Sequence, residues 1–317
     1  MSGNALRGGS KAAHLDRVTW VAFFLFVLLA GSNPVAIRYS NAELPPFWGA
    51  TARLAVAAAI FWIIALARRT PLPRGQALLR TILYGLVGTG AVNALSYWAL
   101  VRVQAGMGAL FLALVPLMTL FLAAAHGQER LSWRGVVGGL IAVLGTLVIV
   151  NGGLGTSLTI PAVVALLGVV LTMGEGAVIF KTIPRGDPVA TNAVSLTAGA
   201  AMLGAISWLA GEAWRLPTAT STWAAFAYLA VVGSVLVFYF YLYVLMRWPA
   251  SRAAYGFVLL PVATMIVSAL LTSELVTGSF LLGASIVLLG VWLGALSRPH
   301  ATVAQPRPAP AGNCASC

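Results

Sequence analysis

Residues 102–145 read RVQAGMGALFLALVPLMTLFLAAAHGQERLSWRGVVGGLIAVLG, and a related stretch, RWPASRAAYGFVLLPVATMIVSALLTSELVTGSFLLGASIVLLG, follows at residues 247–290. A shift of 145 residues superimposes the two. Identities at that offset run through the whole stretch and include, in the first copy, Arg102, Ala105, Ala109, Leu114, Pro116, Thr119, Glu129, Gly138 and Gly145. Earlier in each half the best offset is 143, which pairs Gly31 with Gly174. The chain is therefore predicted to contain two structural repeats.

The composition places these repeats in a membrane. Of the 317 residues, 60% are hydrophobic and 8% are charged, and the apolar residues form long unbroken runs. A bilayer core of about 30 Å takes roughly 20 residues of helix. Ten runs are of suitable length, at residues 18–37, 47–67, 78–101, 106–125, 133–150, 160–180, 189–210, 222–246, 252–272 and 277–296. We therefore predict an all-α polytopic membrane protein with ten transmembrane helices.

The first run could instead be a cleavable signal peptide, because Lys11 and Arg17 precede it and small residues lie near its end. Cleavage would leave nine helices and an unpaired repeat. We therefore interpret the run as a retained first helix.

The basic residues predict the orientation of the helices. With the N-terminus inside, fifteen of the nineteen Lys and Arg residues fall in cytoplasmic segments, and three, Arg38, Arg102 and Arg215, fall outside. This bias follows the positive-inside rule. It also accounts for the net charge of +12, so no nucleic-acid partner is expected. Both termini are predicted to be cytoplasmic.

Each half holds five runs, and an odd number of helices means that the second copy crosses the membrane in the opposite direction to the first. Inverted repeats are typical of secondary transporters, which bind substrate near the midplane between the repeats. We assign residues 1–17 to a cytoplasmic tail, 18–151 to the first five-helix repeat, 159–297 to the second and 298–317 to a disordered cytoplasmic tail.

The chain resembles the EamA-type branch of the drug/metabolite transporter superfamily. The similarity is carried by AGSNPVAIRYSNAELPPFWGATARL in helices one and two, and by Ala105, Pro116, Glu129 and Gly138 with their second copy. The resemblance implies a carrier in a bacterial inner membrane that moves small metabolites or xenobiotics, usually outward. It also implies a cavity lined by helices one, three, four, six, eight and nine, and it implies no particular substrate.

Paired interruptions at corresponding positions of two repeats point to a transporter's binding site. Residues that weaken a helix occur in helix one and in its counterpart, helix six; they are Gly31, Ser32, Asn33 and Pro34, and Gly174, Glu175 and Gly176. Backbone groups freed there are expected to face substrate or water. The alternative is that the glycines only allow close helix packing. Pro116 and Pro261 are predicted to kink helices four and nine at equivalent places.

Two ionisable residues lie within the predicted helices. Glu175 is costly there, by on the order of 3 kcal/mol, and such groups usually face a cavity or a partner. It is a candidate to bind a cationic substrate or a coupling proton, although related proteins commonly have a small or aromatic residue at this point. Arg53 is its obvious partner, but a difference in depth of roughly 13 Å argues against a direct bridge. Arg53 is otherwise a substrate contact or a structural residue.

Helix three places Asn93 and Tyr97 on one face, with Trp98 beside them. Tyr239 and Tyr243 form the corresponding pair on helix eight. An aromatic, weakly polar cavity suits amphipathic or aromatic solutes, or a cation. The predicted substrate-binding residues are Ser32, Asn33, Arg53, Asn93, Tyr97, Trp98, Glu175, Tyr239 and Tyr243, with kinks at Pro34, Pro116 and Pro261.

We predict a secondary active transporter, an exporter of small metabolites such as amino acids or related amphipathic compounds. The alternatives are a multidrug or quaternary-cation exporter and, from a different class, a membrane-embedded enzyme acting on lipid-linked substrates. The enzyme would need clustered acids or histidines, whereas His126 and the other histidines are isolated in the sequence. No catalytic residue, metal or cofactor is expected. The partners are a small-molecule substrate and the lipid bilayer, with coupling protons and a homodimer left open.

Overall fold

The structure, a computed structural model, describes residues 3–40, 43–100, 111–150, 159–184, 186–272 and 278–296. The regular secondary structure in these ranges is helical. It forms ten helices: α1 Gly3–Ser40, α2 Pro46–Ala67, α3 (Gln76–Tyr84, Gly85–Ala91, Val92–Leu100), α4 Val115–Ala125, α5 Trp133–Val150, α6 Ile160–Thr182, α7 Pro188–Leu209, α8 (Thr220–Ala230, Val231–Leu236, Val237–Leu245), α9 Ala250–Thr272 and α10 (Gly278–Val291, Trp292–Leu296). The predicted all-α fold is confirmed.

The helices have the apolar character of membrane spans. By length and composition, α2, α3, α6, α7 and α8 can each cross a bilayer, and shorter apolar stretches lie in α1, α4, α5 and α10. Large side chains such as Leu79, Leu144 and Ile160 project outward from the bundle, where lipid would cover them. The chain is a multi-pass membrane protein. α1 begins at Gly3, before the expected start, and the segment 298–317 assigned to a C-terminal tail lies outside the described residues.

The helices pack as two inverted repeats would. α2 packs against α7 and α5 against α10, so each of these pairs joins repeat-equivalent helices. α1 packs against α8 and α9, and α6 packs against α3 and α4 in the corresponding way. We call the end of the bundle at which α1 ends the upper end, and the end at which it begins the lower end.

Glycines bring α5 and α10 into backbone contact. A Cβ atom added to Gly290 would lie 2.6 Å from the backbone nitrogen of Ala142 and 2.6 Å from the carbonyl oxygen of Gly138. One added to Gly145 would lie 2.6 Å from the backbone nitrogen of Val287. Gly138, Gly145 and Gly290 therefore have a structural role, as small residues between membrane helices commonly do.

Acidic residues hold helix starts at both ends of the bundle. At the upper end Glu43 accepts from the backbone nitrogens of Thr218 and Ala219, where α8 begins. The hydrogen bonds from Thr218 and Ala219 lower the pKa of Glu43 to about 2. At the lower end Glu129 accepts from the backbone nitrogen of Ser251, where α9 begins. Glu129 therefore caps the start of α9, and its repeat partner Glu274 lies outside the described residues.

The helical irregularities lie in α3 and α8. Residues Gly85–Ala91 and Val231–Leu236 are π-helical, and the offset of 145 places one segment on the other. By contrast, α1 and α6 are helical throughout, so the interruptions expected there are absent. In α6 the physical reason is packing, because a Cβ atom on Gly176 would lie 2.5 Å from the Cα atom of Gly88. π-helical turns within α-helices are frequent at functional sites.

Candidate functional site

A buried arginine lies in the upper half of the bundle. Arg53 is seven residues from the start of α2, and 6% of its surface is exposed. Its Nη2 atom donates to Oδ1 of Asn93 at 3.1 Å, and its Cζ atom lies 6.0 Å from the ring centroid of Tyr97. Asn93 is itself held, since its Nδ2 atom donates to the carbonyl oxygen of Thr89 at 2.8 Å. The structure thus brings three of the predicted residues together.

Two further predicted residues connect α1 to α8 in the same half. The hydroxyls of Ser32 and Tyr228 lie 2.6 Å apart, and Ser32 also donates to the carbonyl oxygen of Leu29. The Nδ2 atom of Asn33 donates to the carbonyl oxygen of Gly233, in the π-helical segment of α8, at 3.1 Å. Both side chains therefore bind α8 of the other repeat, and Asn33 binds its π-helical segment.

Several buried polar atoms on these helices lack a hydrogen-bond partner. They are Oδ1 of Asn33, Nε and Nη1 of Arg53, Oγ1 of Thr89 and Oγ of Ser234. The offset of 145 pairs Thr89 with Ser234, so both π-helical segments carry a fully buried, unpaired hydroxyl. Buried polar groups are nearly always paired in folded proteins. α1 and α2 both pack against the π-helical segment that holds Ser234.

Glu175 lies elsewhere, in the lower half, seven residues before the end of α6. Its Oε1 atom is 3.6 Å from Nε2 of His126, at the end of α4, and the side chains are 28% and 47% exposed respectively. The interpretation of His126 as isolated was wrong, because helix packing joins residues that are distant in sequence. No ion pair between Arg53 and Glu175 exists in the described part of the chain, as their predicted depths suggested.

The aromatic residues separate into different environments. Tyr97 is buried beside Arg53, while Trp98 packs near Ala165 and Leu166 of α6. The ring centroids of Tyr239 and Tyr243 lie 6.4 Å apart with the rings tilted by 33°. The Cζ atom of Arg247 lies 3.5 Å from the ring centroid of Tyr243.

The equivalence of the tyrosine pair with Asn93 and Tyr97 stays a prediction. The two π-helical segments begin 146 residues apart and end 145 residues apart. The offset of 145 pairs Asn93 with Phe238, whereas the offset of 146 pairs it with Tyr239. A shift of one residue turns a helical side chain by about 100°. Tyr239 and Tyr243 therefore stay candidates.

The prolines are placed as follows. A turn at Ala113 and Leu114 precedes α4, and Pro116 lies in the first turn of α4. The backbone is helical through Pro34 in α1 and Pro261 in α9, and the side chains of these two prolines lie outside the described residues.

Sequence reasoning missed the hydroxyls of Thr89, Tyr228 and Ser234. A usable signal existed, because the two repeats share Val-Gly followed by a hydroxyl residue at 87–89 and 232–234. In the described residues no group of three or more His, Cys, Asp or Glu could hold a metal ion.

Comparison with known proteins agrees with this architecture. The sequence profile of the EamA-like transporter family matches residues 18–151 and again residues 160–295. The chain is 28% identical over 244 residues to YedA of Escherichia coli, described as an uncharacterized inner membrane transporter, covering 75% of this chain and 78% of that protein. It is 26% identical over 283 residues to a probable terminal-alkyne amino-acid exporter of Streptantibioticus cattleyicolor, covering 88% and 93%.

A solved crystal structure shares the fold. It superimposes with a TM-score of 0.75 at 18% identity and covers 88% of this chain and 97% of its own. The duplicated profile and the fold agree with two copies of one unit.

Proposed function

This chain belongs to the EamA-like transporter family, and we propose that it is a secondary active transporter that exports small metabolites, such as amino acids or related amphipathic compounds, by alternating access. The observation that carries the proposal is the set of unpaired buried polar atoms on α1, α2 and the π-helical segments of α3 and α8. These segments lie where the repeats contact each other, which is where secondary transporters bind substrate. Substrate or water would complete their hydrogen bonds.

The location we propose is a bacterial inner membrane, with both termini in the cytoplasm and the upper end of the bundle outside. The charge bias supports this orientation. With Cys314 and Cys317 replaced by serine, single cysteines introduced near Gly127 in the α4–α5 loop and near Gly211 in the α7–α8 loop test it in whole cells. We expect an impermeant maleimide to label only the cysteine near Gly211. If it labels only the cysteine near Gly127, the protein has the opposite orientation.

Glu175 is proposed to take part in coupling. Four of the acids whose side chains are described, Glu43, Glu129, Asp187 and Glu212, accept from backbone nitrogens at helix starts. Glu175 instead faces a histidine that carries charge only when protonated. A carboxylate and a histidine in contact can exchange protons as access alternates.

A homodimer is also proposed, and the mass of the purified protein in a membrane nanodisc would test it.

A quaternary-cation exporter is the second candidate, favoured by Glu175 and by the rings of Tyr239 and Tyr243. Purified protein in proteoliposomes distinguishes the candidates. Vesicles are loaded with labelled amino acids or with tetraphenylphosphonium, and efflux is followed with and without a proton gradient. We expect amino-acid efflux that responds to the gradient. Gradient-driven efflux of the cation alone would favour the second candidate, and no efflux of any solute would overturn the proposal.

A further inference from the structure

The guanidinium of Arg53 is fixed in place but only partly bonded. Asn93 accepts from Nη2, and the carbonyl oxygen of Thr89 in turn holds the Asn93 amide. The Nε atom and the Nη1 atom, which together carry three hydrogens, have no partner although both are buried. An arginine held in this way presents a rigid set of donors, which suits planar acceptors such as a carboxylate.

No acid of the protein neutralises Arg53 among the residues whose side chains the structure describes. Each described acid has a different partner: Glu43 binds Thr218 and Ala219, Glu129 binds Ser251, Glu175 faces His126, Asp187 binds Val189, and Glu212 binds Phe47, Trp48 and Ser207. The other two acids, Asp16 and Glu274, lie outside those residues. A buried charge without a counterion is strongly unfavourable, so the position calls for an anion from elsewhere.

The second repeat shows that the fold itself does not require a charge here. At the offset of 143, Arg53 corresponds to Leu196 of α7, which is fully buried. At the offset of 145, Asn93 and Tyr97 correspond to Phe238 and Leu242. Apolar residues thus fill the equivalent positions in the same type of helix packing, and they carry no desolvation cost. The arginine and its asparagine are a departure from symmetry in one repeat.

We propose that Arg53 binds the carboxylate of the transported substrate, which makes the substrate class organic carboxylates, amino acids included. The inference rests on the proposed transport function and assigns its specificity to one residue. The unpaired acceptors Oδ1 of Asn33 and Oγ of Ser234 lie on helices that pack around the same region. They suit a donor on the substrate, such as the ammonium group of an amino acid.

The first test measures binding to the purified full chain in detergent. Its thermal midpoint is compared in sodium benzoate, sodium chloride and neutral benzamide at equal ionic strength and pH. We expect benzoate to raise the midpoint by about 3 °C over chloride, because a ligand that binds only the folded state stabilises it. Benzamide should have no effect. Equal midpoints in benzoate and chloride would overturn the inference.

Variants at position 53 test whether the benzoate shift of the thermal midpoint depends on Arg53. Arg53→Leu, which copies Leu196, and Arg53→Gln should each lose the benzoate shift, while Arg215→Gln, an exposed arginine near the upper end, should keep it. If Arg53→Leu fails to fold, Arg53→Gln and Arg53→Lys test whether the benzoate shift depends on the cation at position 53. Arg53→Lys should retain part of the shift. A full benzoate shift in any folded variant that lacks a cation at position 53 would also overturn the inference.

Transport separates the two proposals. In proteoliposomes, efflux of L-phenylalanine is compared with that of phenethylamine, which lacks the carboxylate. We expect the protein to prefer phenylalanine at least tenfold, and Arg53→Gln to abolish that preference. Movement of both solutes at equal rates would refute the role of Arg53 and leave the transport function standing. Movement of neither, together with a benzoate shift that depends on Arg53, would refute export of amino acids and leave the carboxylate site standing.

Discussion

The first three helices of each repeat share their packing but differ in chemistry. Gly88 and Gly233 occupy equivalent places in the π-helical segments, and each lies against the helix that crosses it. Around them the first repeat carries Arg53 and Asn93, where the second carries Leu196 and Phe238. The difference teaches that residues kept in both copies hold the scaffold. Residues that break the symmetry are the ones to examine for substrate binding.

The largest effect is expected at the scaffold positions kept in both copies. Gly290→Val should prevent stable folding, because a Cβ atom there would meet backbone atoms of α5 at 2.6 Å and a flexible side chain cannot relieve the contact. Even Gly290→Ala should cost about 1–3 kcal/mol. Detergent thermal melts followed by size-exclusion chromatography measure the loss. Gly278→Ala is the matched control, since no atom of the described residues lies within 4 Å of its added Cβ atom.

A change that makes the repeats more alike should cost less. Asn93→Leu removes the acceptor of the Arg53 Nη2 atom and leaves that buried donor unpaired, which costs about 1–3 kcal/mol. The double variant Asn93→Leu with Arg53→Leu should recover most of this stability, because it removes the buried charge as well. Thermal melts of the two single variants and the double variant form the cycle. Strictly additive losses would show that the two side chains do not depend on each other.

The third prediction concerns Glu175, which the offset of 143 pairs with Ser32. Glu175→Gln keeps the size of the side chain and removes its charge, so folding should be retained. The transport rate should fall at least tenfold, which corresponds to about 1.4 kcal/mol or more. Alternatively, transport should lose its pH dependence. Efflux from proteoliposomes at pH 6 and pH 8 measures this. Unchanged rates and an unchanged pH profile in the folded variant would remove Glu175 from the mechanism.

His126→Gln provides the matched partner variant, since it breaks the same contact from the other helix. It should change the pH profile in the same direction as Glu175→Gln. A changed profile in Glu175→Gln alone would mean that the histidine is only a neighbour.

The smallest effect is expected at the cap that the first repeat places on the second. The pKa of Glu43 is lowered to about 2, below its usual value, so its ionised form stabilises the folded state. That contribution is complete above about pH 4.5 and is lost as the pH falls toward 2. Thermal melts of Glu43→Gln should therefore show a weaker pH dependence in this range than those of the wild type. Identical pH curves would show that the cap does not contribute.

The sequence by itself determined the architecture. Long apolar runs can satisfy their backbone polar groups within a membrane only as helices or closed barrels, and their length here corresponds to a helical span. The repeat through residues 102–145 and 247–290 then required two copies of five helices in opposite directions. The repeat also singled out Gly138, Gly145 and Gly290. The apolar runs indicated Arg53 and Asn93 as polar residues inside predicted helices.

Only the tertiary structure decided which of these residues meet. The contact of Glu175 with His126, the unpaired donors of Arg53 and the shift of the irregular segments from α1 and α6 to α3 and α8 all depend on how each helix is rotated about its axis. One residue of register turns a side chain by about 100°, which is enough to move it from lipid to the interior. Apolar runs with little amphipathic pattern do not specify that rotation. Packing between helices that are distant in sequence does.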